Sequence, residues 1–469
     1  MGTVIFGLDG ADPELIERWI DDLPNFRRLK EKGFFGRFRS TEPPITVPAW
    51  MCIFSGRSPS DFDAYDFRTI DFEEFYIQVV NSTHFRGRTL LDSVERPISF
   101  RVPGSTPKYP IEGPMVSGFI QGEMMDYEPE SLGEEIASEV DPDIQEMSGG
   151  RRDKKEIASN NFSENFEVFS YLLDEKEFST AFSVFRLIDT HMHNVDDQEE
   201  LFSVYRKADK FLGKLLDRFS DEHNVVVLSD HGSMQTEKKL YLNNVLREKG
   251  FLRYGEEESS PLRKVEEKVG SLLVNLGLKQ EVKKLLDIYS SFTGKDPQHT
   301  QSTILPALDR EKTEAFCYIS GVSRYGAVWI NDCRFDQGAV EDSEAKAEEV
   351  KTSLKDVKYI EEVWGPESFR ENRKMPDLLV KAEKGTVIGG EPYNVDFHRT
   401  SAVVHDEHGL LAGIGPDFSQ GETLEASYRD IAPTLQALEG EVDIDRGEVL
   451  EHLLRDDYSF DEDLLDVDI

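Results

Sequence analysis

Apolar residues along the chain fall into short runs that stop at polar or glycine positions, with charged, helix-spaced stretches between them. TVIFGL (3–8) is a short apolar run ending at Asp9-Gly10, which predicts a buried strand that delivers Asp9 to a turn. Pro13 then opens PELIERWIDDLPNFRRLKEKG, where Leu15, Ile16 and Ile20 recur at helical spacing and Gly33 closes the pattern. Residues 46–56 predict a loop entering a second helix, with Pro48 in its first turn. RPISFRVPG and PMVSGFI, within 97–121, read as strand-like runs broken by proline and glycine. Further on, the pattern predicts a helix over 164–177, a strand over 180–188 ending at Asp189, and a helix over 197–218 charged on one face. NVVVL, from 224, ends at Ser-Asp-His-Gly. AVWIND (327–332) and DLLV (377–380) predict later strands, and SYRDIAPTLQALEG (427–440) a final helix.

Near-continuous apolar strands alternating with helices indicate an α/β fold with a large, mostly parallel sheet covered by helices on both faces. The expected organisation is one catalytic domain over 1–455, with inserted cap segments near 70–130 and 255–300 and an acidic tail at 456–469. At 469 residues the chain exceeds the size at which one core stops growing.

Composition narrows the class. Asp and Glu number 92 against 54 Lys and Arg, a formal charge of −38 distributed along the chain. Such a field opposes nucleic acid polymers and anionic lipid, because phosphate binding needs cations to neutralise it. It also predicts adaptation to a salt-rich interior of the halophilic kind, where self-repulsion is screened. No run of about 18 apolar residues occurs, so no membrane-spanning helix is expected. The N-terminus, MGTVIFGLDGADPE, carries acids early and lacks a basic leader, so a cytoplasmic location is expected. The cysteines, Cys52, Cys317 and Cys333, are three and far apart, which fits neither a disulfide framework nor structural zinc. Any metal here needs oxygen and imidazole ligands.

Three strand ends deliver such residues: Asp9, Asp189, and Asp230 with His231. In open parallel sheets ligands bind at the carboxyl ends of strands, and acids converging there repel unless cations lie between them. Asp and His donors suit Zn²⁺ or Mn²⁺. Asp189 and His193, four apart, can share one side of a helical turn and chelate one ion, and a later histidine in VVHDEHGLLAGIGP could close that site. Each residue alone has a plainer reading, as a helix-capping acid or a satisfied core histidine. Thr46, just before a helix start, could cap it; alternatively its hydroxyl could act as a nucleophile where free N–H groups and the dipole favour phosphate.

The pieces FGLDGADPELIERW, STEPPITVPAWMCIFSGRSP, RLIDTHMH, VVVLSDHGSMQTEKKLYLNNVLREKGFL, HDEHGLLAGIGPDF and YRDIAPTLQALEGE stand in order from the first strand to near residue 450. Together they resemble the type I phosphodiesterase/nucleotide pyrophosphatase branch of the alkaline phosphatase superfamily. The resemblance implies a phosphoric ester hydrolase with Thr46 as nucleophile and two divalent ions, Zn or Mn. By position, Asp9, Thr46, Asp230 and His231 resemble the ligands of the ion that activates the nucleophile. Asp189, His193 and a late histidine resemble those of the second; family spacing selects His405, with His408 left open, and His193 over His191. The implied partner is a small phosphate ester. Two departures stand out: SPSDFDAYDF replaces a His-Gly pair after the nucleophile helix, and Ser233 stands where many relatives carry an aromatic. Trp50, four residues past Thr46, disfavours a sulfatase, which needs Arg there. A phosphomonoesterase, a phosphosugar mutase, a phosphonate hydrolase and a non-catalytic nucleotide- or sugar-binding relative are the alternatives. Oligomeric state is not legible.

Overall fold

The computed structural model describes residues 2–72, 76–118, 125–146, 151–194, 197–255, 308–319, 323–335, 337–368, 374–391, 396–421, 423–443 and 446–462. These fall into two compact units: Met1–Phe67, Val80–Met234 and His405–Ile469 form the first, and Arg68–Val79 with Gln235–Val404 the second.

The first unit is built on nine strands: β1 (Thr3–Leu8), β2 (Phe34–Arg39), β3 (Ile98–Phe100), β4 (Met115–Ser117), β5 (Asp126–Glu128), β6 (Thr180–Phe185), β7 (Asn224–Leu228), β8 (His408–Ile414) and β9 (Thr423–Ser427). They form one sheet in the order β9-β2-β8-β7-β1-β6-β3-β4-β5. All run in one direction except β8 and β5, which are antiparallel to their neighbours. The expected mostly parallel α/β sheet is therefore what the chain forms.

Both faces of the sheet are covered, which is why β1, β6 and β7 are buried at every position. On one face Ile5, Phe182, Val184, Val226, Leu228 and Leu411 share a core with Trp50 and Phe54 from the helix Thr46–Ile53 and its C-cap, and with Ile431 and Leu435 from helix Ile431–Ala437. On the other, Phe6 meets Phe166 and Phe185 meets Phe162, both partners on helix Arg151–Glu175. Phe166 in turn packs edge-on against Phe211 of helix Gln198–Phe219. The alternation of Ile5 and Phe6 between the two cores is the period-2 pattern of a strand buried on both sides.

Two local outcomes differ from the sequence pattern. The helix expected from Pro13 to Gly33 is two helices, Pro13–Arg18 and Pro24–Lys32, around a short 3₁₀ turn. Pro24 cannot continue an i to i−4 ladder, and Leu23 before it leaves the helical region, with ψ 76°. The strand expected over 180–188 stops at Phe185, and helix Leu187–Met192 begins at once. Leu187 and Ile188 prolong the apolar run in sequence, but Arg186 turns the chain at φ −88°, ψ 9°, so Asp189 lies in a helical turn past the strand end. Of the strand-like runs expected within 97–121, Ile98–Phe100 and Met115–Ser117 are strands of the central sheet, as is Asp126–Glu128 beyond them.

The second unit holds a four-stranded antiparallel sheet in the order Ala315–Cys317, Tyr325–Ile330, Leu378–Ala382, Ile360–Trp364, with helix Ser343–Leu354 beside it. Thr386–Gly389, Gly232–Tyr241 and Phe397–Asp406 make a three-stranded sheet. Residues 256–300 of the second expected insertion lie outside the described residues. At the acidic tail, Asp461–Glu462 pairs with Glu441–Val442, and the Tyr458 hydroxyl donates to the Ala437 carbonyl at 2.9 Å.

Candidate metal centre

Six of the seven candidate residues meet in the first unit as two carboxylate–imidazole clusters: Asp9, Asp230 and His231, and Asp189, His193 and His405. Each arrives by a short connection from the C-terminal end of a parallel strand, except His405. Asp9 follows β1 and is hydrogen-bonded through its N–H to the Phe185 carbonyl, while Asp230 and His231 follow β7. Asp189 and His193 sit four apart in one helical turn, His193 at its C-cap. His405 lies just before β8, which returns antiparallel beside β7.

The clusters adjoin. The His231 and His405 rings stack with centroids 3.6 Å apart and planes 14° from parallel. Gly10 sits where a Cβ would come within 3.3 Å of both Asp189 and His231, and its own φ of +71° favours glycine.

Two backbone carbonyls orient the imidazoles. His405 Nδ1 lies 2.8 Å from the Pro44 carbonyl and His231 Nδ1 2.9 Å from the Gly232 carbonyl. A carbonyl only accepts, so each Nδ1 carries a proton and Nε2 is the ring atom turned to the cluster, the arrangement of a metal-ligating histidine.

The donor atoms fit divalent cations. Both oxygens of Asp9, Asp230 Oδ2 and His231 Nε2 are buried and make no hydrogen bond among the described residues. Buried polar atoms are otherwise almost always paired, so four orphans in one cluster need an account. Tetrahedral ligation at about 2.0–2.1 Å spaces donors about 3.3 Å apart. His193 Nε2 lies 3.1 Å from His405 Nε2 and 3.2 Å from Asp189 Oδ1; His231 Nε2 lies 3.4 Å from Asp230 Oδ2 and 3.6 Å from Asp9 Oδ1.

Electrostatics say the same. Burial, then the charges of Asp230 and Asp189, push Asp9 well above the usual carboxylate range. Burial pushes Asp230 up to about 6, against the pull of His231 and the Gly10 N–H. Burial also opposes the charged form of Asp189, but His193 above all, with Arg186, more than offsets it and holds that carboxyl low. Burial and the neighbouring His231 and His193 keep His405 well below the usual imidazole value, hence neutral. Without a cation, burial and mutual repulsion shift the carboxylates of the first cluster toward their protonated forms.

Thr46 is the first residue of helix Thr46–Ile53, buried, with Ile45 at the N-cap and no side chain capping the helix. The simple reading of Thr46 as a cap does not apply. The segment before it is held by both clusters: the Ser40 hydroxyl donates to the Asp230 carbonyl, and the Pro44 carbonyl accepts from His405 Nδ1. Of the rival histidines, His191 turns its Nδ1 to the Leu187 carbonyl at 2.7 Å, and His408 lies 3.7 Å from Asp406. Neither belongs to a cluster.

Against known proteins, residues 3–410 match the model of the type I phosphodiesterase/nucleotide pyrophosphatase family. The chain belongs to this family. It is the family whose motifs the sequence resembles. No curated protein matches the sequence closely enough to count as a relative. Among solved structures it is similar to murine ectonucleotide pyrophosphatase/phosphodiesterase 5, at 12% identity and a TM-score of 0.58, covering 97% of this chain and 100% of the other. The human counterpart gives 13% and 0.57 with the same coverage. An inactive threonine-to-alanine variant of the murine protein in complex with AMP gives 12% and 0.59. At these identities the likeness concerns the fold.

Sequence reasoning missed Asp12 as part of this region. The Asp12-Pro13 pair reads as a helix cap with proline at the first position, which it is: Asp12 Oδ1 accepts from the Glu14 and Leu15 N–H groups. The second use of the carboxylate appears only in three dimensions. Asp12 Oδ2 accepts from the Ser233 hydroxyl at 2.7 Å and the Ser233 N–H at 3.2 Å, which gives the unexplained Ser233 a role.

Proposed function

We propose that the chain is a metal-dependent phosphodiesterase that hydrolyses a small phosphate ester through Thr46. The observation that carries this reading is the pair of adjoining clusters, with orphaned buried donors, tied to the segment that ends at Thr46. Two divalent ions bound there, Zn²⁺ or Mn²⁺, would neutralise the carboxylates and the phosphate and favour the alkoxide form of Thr46.

The remaining work falls to the chain. Asp9, Asp230 and His231 would hold one ion, and Asp189, His193 and His405 the other. The uncapped N-terminus of helix Thr46–Ile53 presents backbone N–H groups and the positive end of its dipole to the phosphoryl oxygens. Thr46 Oγ1 gives its proton to solvent and attacks phosphorus in line; the Thr46 Oγ1–P bond forms as the P–O bond to the leaving group breaks, and the departing oxygen takes a proton from solvent. Water then attacks the phosphorylated Thr46 in line, freeing the threonine and releasing the second product. The AMP in the murine neighbour's complex makes a nucleotide a reasonable substrate class.

The test is hydrolysis of bis-p-nitrophenyl phosphate against p-nitrophenyl phosphate, with Mn²⁺ or Zn²⁺, by wild type and Thr46→Ala. A diester preference that falls by a factor on the order of 10³ or more in Thr46→Ala is expected, the scale of losing a catalytic nucleophile. Equal turnover by the variant overturns the role of Thr46. No turnover of either ester by folded, metal-loaded protein favours a mutase, a phosphonate hydrolase or a binding relative.

A further inference from the structure

Two loops supply the first cluster: residues 9–12 after β1 carry Asp9, and residues 229–233 after β7 carry Asp230 and His231. Asp9 and Asp230 are both fully buried, so whenever both are ionised their charges drive these loops apart. Other contacts must hold them together.

Three ties cross between the loops. The Gly10 N–H donates to Asp230 Oδ1 at 3.2 Å, and the Ser229 hydroxyl donates to the Ala11 carbonyl at 2.6 Å. The third is Asp12 with Ser233. Asp12 is only 7% exposed, and each of its oxygens is used: Oδ1 by the start of helix Pro13–Arg18, Oδ2 by the hydroxyl and N–H of Ser233. Its backbone N–H donates to the Tyr205 hydroxyl at 2.9 Å, which ties the loop to helix Gln198–Phe219. Gly232 lets the second loop run close: a Cβ there would meet the His408 carbonyl oxygen at 2.8 Å and Asp12 Cγ at 3.6 Å.

We infer that Asp12 and Ser233 form a clasp that holds the loop bearing Asp9 in register with the loop bearing Asp230 and His231, and so sets how tightly the first ion is held. The inference rests on the two-ion reading above. Neither residue is a ligand; both are positioning residues. The hydroxyl is the part that matters, because Ser233→Ala leaves Asp12 Oδ2 with only the longer N–H bond in a buried place. An aromatic side chain such as phenylalanine at this position could not donate that bond. The effect is local, since the clasp joins the loops of one cluster and bonds to no residue of the Asp189–His193–His405 cluster.

The test is calorimetric titration of the metal-free full chain with Mn²⁺ or Zn²⁺, for wild type, Ser233→Ala, Ser233→Thr and Asp12→Asn. In Ser233→Ala one of two ions is expected to bind 10- to 100-fold more weakly, the scale found for groups that orient ligands from outside, and the other within about twofold of wild type. Ser233→Thr keeps the hydroxyl and is expected to restore the weaker site. Unchanged affinity at both sites overturns the clasp. So does equal weakening at both in step with a lower melting temperature, which marks a general structural role. Asp12→Asn also disturbs a helix cap, so if it fails to fold the two serine variants decide between these outcomes. Wild-type protein that takes up no ion is a different failure: it removes the two-ion reading, and the clasp falls with it.

Discussion

Replacing Asp230 with asparagine should make the metal-free protein more stable and the metal-loaded protein less so. Asp230 is fully buried, and burial lifts its pKa from the ordinary 3.8 to about 6. A raised folded pKa means that its contribution to stability is fully present below about pH 4 and is lost as pH rises through about 6. Two units at about 1.4 kcal/mol each give a penalty near 3 kcal/mol for keeping the charged, cation-free carboxylate folded at pH 8. Asp230→Asn removes the charge and keeps an Oδ1 to accept from the Gly10 N–H, so most of that penalty should be recovered. At about 1 °C per kcal/mol for a chain of this length, the melting temperature in chelator at pH 8 should rise by roughly 2–3 °C. At pH 4 the gain should vanish, because wild-type Asp230 is then protonated. With Mn²⁺ or Zn²⁺ present the order should reverse, since the variant has lost a ligand and with it the stabilisation that ion binding gives the folded state. Scanning calorimetry with and without chelator, at both pH values, reads all four cases. A variant that is less stable than wild type in every one would show that Asp230 is an ordinary buried hydrogen-bonding group, with no charge penalty to relieve.

Other consequences follow from the same geometry. His405→Ala should weaken one of two bound ions by at least tenfold in equilibrium dialysis, while His408→Ala should leave both within about twofold; equal effects would mean the ligand is wrongly chosen. Ion affinity should fall as pH drops from 8 to 5, because protons compete for Asp9 and Asp230, whose pKa values lie above the usual carboxylate range; affinity flat across that range would contradict the repulsion assigned to the first cluster. The net charge of −38 predicts a chemical-denaturation midpoint that rises between about 0.1 M and 2 M KCl, where the screening length drops to a few ångströms. Equal stability at both salt levels would remove salt adaptation from the picture.

Much of this was legible in the sequence because apolar runs mark strands buried on both faces, and the polar residue that ends each run marks the sheet edge. TVIFGL, TAFSVF and NVVVL are β1, β6 and β7, and Asp9, Asp230 and His231 stand where the runs stop. Asp189 was found for a partly mistaken reason: Leu187 and Ile188 look like strand, yet they form a buried helical turn, and the four-residue spacing to His193 works because of that turn. Local signals could not show the rest. Nothing near His405 or His408 says which ring the Pro44 carbonyl will orient, 361 residues from His405 in the chain. Asp12 announces itself as a cap, but its bond to Ser233 spans 221 residues. The division into two units was equally hidden, because the second unit takes Arg68–Val79 from one part of the sequence and Gln235–Val404 from another.

The most direct test of the central claim is the stereochemical course at phosphorus. A chiral thiophosphate diester is hydrolysed by the metal-loaded enzyme in isotopically labelled water, and the configuration of the product is read by phosphorus NMR. Attack by Thr46 followed by attack of water makes two inversions, so net retention is predicted. Inverted product would mean that water attacks the substrate directly, and Thr46 would not be the nucleophile.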